Sequence, residues 1–200
     1  MARSTRALVT SCLTLALCAF QGASAAEAPK LNVTAIGASG GKSTLECWQL
    51  DAPFAVSDTP GTRGSAAATL GNVSNLGMTV LPAGFDGGVT QRAGQPVSNI
   101  HCDFPVYTWV MFISGMAHVT LPGDDSGGAY ILGGEFGLIF AADTANVSEK
   151  GHYTRYPGIV ETVALQIPTL DGEIPPHQVV RSGPCLTNNT AGLRSFAGSG

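Results

Sequence analysis

Four histidines and a few acids carry most of the chemistry this chain of 200 residues can do. His101 opens the run His101-Cys102-Asp103, and His152 lies between Gly151 and Tyr153. An imidazole changes charge near neutral pH, so a histidine held in a cavity can serve as general acid, general base or metal ligand. Asp103 and Asp143 can each supply an oxygen or take a proton, although Asp beside a turn commonly caps its own backbone. Arg155, in the run that His152 begins, could orient a carboxylate or phenolate, against the commoner role of a surface arginine. His118 alternates with apolar neighbours in MAHVTL as an outward or satisfied strand residue does, and His177 follows Pro175-Pro176 in a loop.

The elements that must position these residues are short β-type runs broken by Gly, Pro and Asp. Gly77 to Leu81 precedes the turn Pro82-Ala83-Gly84, and Tyr107 to Ile113 is followed by Ser114-Gly115 and then Met116 to Leu121. Tyr130 to Leu132, Gly137 to Ala142 and Ile159 to Ile167 continue the series. Such spacing predicts an all-β sandwich or barrel, and no long segment has helical periodicity. The Ser114-Gly115 link is hairpin-sized. Residues 45–185 are expected to form one β-barrel domain, after a polar lead-in over 26–44 and before a solvated tail over 186–200.

Arg3 and Arg6, the apolar stretch Cys12 to Phe20 and the small residues Ala23-Ser24-Ala25 have the form of a cleaved signal peptide over residues 1–25. The expectation is a secreted protein with no membrane attachment after cleavage. Removal of that segment leaves Cys47, Cys102 and Cys185, for which three pairings are open. Cys47 with Cys185 is the expected bridge because the two flank the patterned region. Asn32, Asn72, Asn146 and Asn188 each begin a glycosylation sequon. Charged residues at 12% and a net charge of -4 give no footprint for nucleic acid, and no nucleotide-binding motif is present.

The order of the segments resembles the cupin family, single-domain jelly-roll β-barrels, and in particular the small secreted cupins of fungi. The resemblance rests on His101, Trp109 to Gly115, Val119 to Pro122, Gly133-Gly134-Glu135, Ile139 to Thr144 and Gly151 to Arg155. It implies a metal centre, carried over position by position. Counting back from Gly115 puts Thr108 where the family's glutamate stands, His101 at the first histidine, Asp103 at the second and Gly137 at the last. One usual ligand is therefore kept, one is exchanged for a carboxylate and two are lost. The resemblance further places the strand of His152 beside that of His101. Together with Asp103 or Asp143, these could hold Fe(II), Mn(II) or Zn(II). Tyr107, Trp109, Phe112 and Phe140 would line a cavity suited to a flat, apolar metabolite.

Three functions follow from these residues together with what the resemblance implies. The first is a metal-dependent oxidoreductase or dioxygenase acting on an aromatic or polyketide-type metabolite in secondary-metabolite biosynthesis. The second is a metal-free cyclase or isomerase in which His101, Asp103 or His152 moves a proton. The third is a non-catalytic secreted binding protein. The partner in each case is a small molecule, and the family's frequent pairing makes a homodimer compatible with the resemblance.

Overall fold

The computed structural model describes residues 28–90 and 107–186. Its strands are β1 (Lys30–Ser39), β2 (Lys42–Pro53), β3 (Ala55–Val56), β4 (Ala66–Ala67), β5 (Gly77–Leu81), β6 (Phe85–Thr90) and β7 (Thr108–Ser114). They continue with β8 (Met116–Thr120), β9 (Ala129–Leu132), β10 (Leu138–Ala141), β11 (His152–Tyr156), β12 (Thr162–Pro168) and β13 (His177–Ser182). The fold is all-β: no α-helix occurs among the described residues, and so none is long and apolar enough to cross a membrane. A seven-stranded sheet runs β13-β2-β1-β10-β7-β12-β5, and a four-stranded sheet runs β6-β11-β8-β9.

Alternation along the strands builds two apolar layers rather than one. Ile36, Leu45, Phe112, Ile139, Ala141 and Ala164 of the large sheet meet Ala117, Val119, Ala129 and Ile131 of the small one, forming the layer between the sheets. The opposite face of the large sheet presents Leu31, Val33, Ala35, Trp48, Leu50, Trp109 and Phe140, covered by Phe54, Ala68 and Leu70 from the excursion after β2. The Trp109 indole N–H donates to the Leu70 carbonyl at 2.9 Å and ties this cover down. Burying each of these large side chains contributes on the order of 1.5–3 kcal/mol.

Two sequence expectations change here. The lead-in over 26–44 carries β1 and the start of β2, because Leu31, Val33 and Ala35 alternate onto a buried face while β1 pairs with β2 and β10. The four aromatics do not share one cavity. Trp109 and Phe140 pack edge to face at 4.7 Å in the covered outer layer, Tyr107 packs beside them, and Phe112 lies between the sheets. Odd and even positions of β7 necessarily face opposite ways, and both faces of this sheet are buried. The strand of His152, β11, has β6 and β8 as its neighbours. His101, Cys102 and Asp103 lie outside the described residues, as do the signal segment and Asn188.

Cys47 and Cys185 are disulfide-bonded with Cα atoms 4.6 Å apart, which fits an oxidising compartment. Of the sequons, Asn72 and Asn146 are exposed. Asn32 is half-buried in β1 and its amide oxygen accepts a hydrogen bond from Gln49 at 3.1 Å.

Candidate functional site

The polar chemistry gathers at one end of the space between the sheets. Along β11, His152 and Thr154 alternate onto the buried face, while Tyr153 and Arg155 face solvent. β10 ends at Ala141, and two residues further on the same alternation delivers Asp143, fully buried. The His152 Nδ1 and the Asp143 Oδ2 are 2.7 Å apart, and both side chains are almost entirely withdrawn from solvent. With Asp143 as acceptor, Nδ1 is the protonated ring nitrogen and Nε2 is left with the lone pair.

Two serines from elsewhere in the chain complete the network. Ser43, at the start of β2, donates to the same Oδ2 at 2.6 Å, and its hydroxyl also lies 2.8 Å from that of Ser148. The Ser148 oxygen in turn accepts the Gly151 N–H at 3.0 Å, anchoring the turn that delivers His152. Asp143 is therefore held from β2 and from the turn before β11 at once. Its other oxygen, Oδ1, is buried without a partner, as are the hydroxyls of Thr144 and Thr108. Thr108 stands opposite Ala141 in the β7–β10 pairing, so all three orphans cluster around the end of β10. Buried polar atoms left unpaired are costly unless a ligand or water meets them.

A cavity of about 890 Å³ opens beside this network, and Ser43, Gly151, Leu45, Leu121, Lys150 and Arg181 are among its walls. That volume falls in the range of small-molecule sites. On the inner face of β11 beyond His152, Tyr156 packs against Phe112, and its burial pushes the phenol above its ordinary pKa.

The sequence candidates are distributed as follows. His152 and Asp143 are brought together, but as a hydrogen-bonded pair rather than as two ligands of one ion. A metal on Nε2 would sit across the imidazole ring from Asp143, so the two do not fit a shared centre. Among the described residues no group of three His, Cys, Asp or Glu could hold a metal ion. Arg155 points away from His152 and pairs with Asp86 at 3.2 Å on the exposed face of the small sheet. His118 is engaged at 2.7 Å by the Gly127 carbonyl and stacks on Tyr130, while His177 stacks on Trp48. Thr108, in the place of the family's glutamate, contributes one orphaned hydroxyl. Ser43 and Ser148 had no signal in the sequence, because their meeting depends on a pairing between segments about a hundred residues apart. Comparison with protein-family models, with curated proteins and with solved structures finds no match to this chain.

Proposed function

We propose that this chain is a secreted, cupin-like enzyme that moves a proton on a small aromatic or polyketide-type metabolite, an isomerase or cyclase in reaction class. His152 is the proton-transfer group, and Asp143 fixes its tautomer. The observation that carries this reading is the buried His152–Asp143 hydrogen bond, clamped from behind by Ser43. A carboxylate behind an imidazole holds the ring in one orientation and stabilises the imidazolium formed when Nε2 takes a proton. Secretion is supported by the signal-like N-terminus and by the Cys47–Cys185 bridge.

The test is deuterium uptake by carbon acids. Untagged protein is incubated in D₂O with aromatic 1,3-diketones, and loss of the acidic C–H signal is followed by NMR, with metal content measured in parallel. The expected result is enzyme-dependent exchange that survives chelation and falls by at least about 100-fold in His152→Ala. Exchange unaffected by that substitution, or absent from the wild type, contradicts the reading. Exchange lost with a stoichiometric transition metal assigns His152 Nε2 to metal ligation instead, with Asp143 as its orienting partner.

A further inference from the structure

The wall of the cavity of about 890 Å³ is of two kinds. Ser43 and Leu45 share a face of β2, so the cavity borders the layer between the sheets, to which Leu45 and Leu121 belong. Lys42, Lys150 and Arg181 line it as solvent-exposed cations. The described residues hold six lysines and arginines, namely Lys30, Lys42, Arg63, Lys150, Arg155 and Arg181, and half of them wall this one cavity. In a chain of net charge -4 that concentration is local, not part of a generally basic surface.

Hydrogen bonds set the three cations in place. Lys42 and Lys150 sit on turns held side by side by the Glu149 N–H, which donates to the Gly41 carbonyl at 2.9 Å. The Ser43–Ser148 hydroxyl contact fastens the same two turns. The end of β13 is tied to β2 by the Gly183 N–H, which donates to the Leu45 carbonyl at 2.7 Å. Arg181 Nη1 donates to the Pro184 carbonyl, and this uses one of five guanidinium donors. None of the three cations pairs with a carboxylate among the described residues. Two acids share the wall. Asp124 accepts the Ser126 N–H and hydroxyl at 2.9 and 2.7 Å within its own turn, and Glu149 is engaged as well.

We propose that this cavity binds an organic acid, with its carboxylate held by Lys42, Lys150 and Arg181 and its apolar body against Leu45 and Leu121. Three cations beside two engaged acids favour an anion there, and a neutral molecule of the same shape forfeits the charge-assisted hydrogen bonds. An acid is then the substrate class for the proposed proton transfer. That link rests on the role of His152 proposed above, since Ser43 and Gly151 join the cavity to its network.

Binding titrations on the untagged full chain test this, with 2-naphthoate as probe and the uncharged 2-naphthamide as control. Lys42, Lys150 and Arg181 are all exposed, so the triple change Lys42→Gln, Lys150→Gln and Arg181→Gln should keep the wild-type melting profile. The expected result is a naphthoate Kd below about 1 mM, binding of the amide at least about 10-fold weaker, and a comparable loss in the triple variant. Naphthoate binding should also weaken as salt rises from about 50 to about 500 mM. Arg155→Gln, on the exposed face of the small sheet, should bind as the wild type does. Equal affinity for acid and amide contradicts the proposal. So does a triple variant that binds naphthoate like the wild type, or no binding up to about 5 mM. Diketone exchange that persists while naphthoate fails to bind overturns the anion site alone. Naphthoate binding without exchange overturns the acid–base role of His152 and upholds the anion site.

Discussion

His152 and Asp143 reach each other from different sheets: the imidazole comes from β11 of the four-stranded sheet and the carboxyl from the end of β10 in the seven-stranded one. Their hydrogen bond therefore does two things at once. It fixes one orientation of a buried ring, next to a cavity whose wall includes Ser43 and Gly151, and it ties the two sheets together at a point where the surrounding residues are polar rather than apolar.

Asp143→Asn separates the two roles. The amide keeps the shape of the carboxyl, but it can present an N–H to Nδ1 and so drive the ring proton onto Nε2. We expect proton-transfer activity to fall by about 10³–10⁴-fold, as when an orienting aspartate is lost behind a catalytic histidine. Stability should fall by only about 1–3 kcal/mol in urea unfolding. Full exchange activity in this variant would show that Asp143 serves the fold alone.

The Cys47–Cys185 bridge links β2 to the residue stretch just after β13, across 138 positions of sequence. Its loss in Cys47→Ala/Cys185→Ala should lower stability by on the order of 3–5 kcal/mol. Peptide mapping under non-reducing conditions should recover the same pair, and Cys102 found in a bridge would contradict it.

Gly115 sets the turn from β7 into β8. Its φ is +79°, and a Cβ there would stand 2.6 Å from the Thr162 Cα. Thr162 cannot retreat, because its hydroxyl accepts the Met116 N–H at 3.1 Å. Gly115→Ala should therefore cost at least about 2 kcal/mol, read from the urea midpoint. A change within about 0.5 kcal/mol would mean that the hairpin relaxes freely.

What the sequence disclosed follows from how local each signal is. The runs at Gly77–Leu81 and Met116–Thr120 and the Ser114-Gly115 link are written in neighbouring residues, and the structure has strands and a hairpin there. Cys47 and Cys185 were legible because they flank the patterned region, although the count of thiols alone left three pairings open. The role of Lys30–Ser39 was hidden, since a strand buried on both faces and paired on both sides contains Thr34 and Gly37 among its apolar residues and shows no simple alternation. Alternation says that Trp109 and Phe112 point opposite ways, but not that the outer face is covered by Phe54 and Leu70. His152 was visible as a residue type in a promising place. Its partnership with Asp143 and Ser43 depends on three separate strand registers, and these no local pattern encodes.

The most direct test of the acid–base account is the tautomer of His152, read from long-range ¹H–¹⁵N correlations of the imidazole ring, with His152→Gln used to assign its signals. The account predicts that at neutral pH the neutral ring carries its proton on Nδ1, with a pyridine-like Nε2, and that Asp143→Asn reverses the two. A neutral His152 protonated on Nε2 in the wild type, or a ring indifferent to Asp143→Asn, would contradict it.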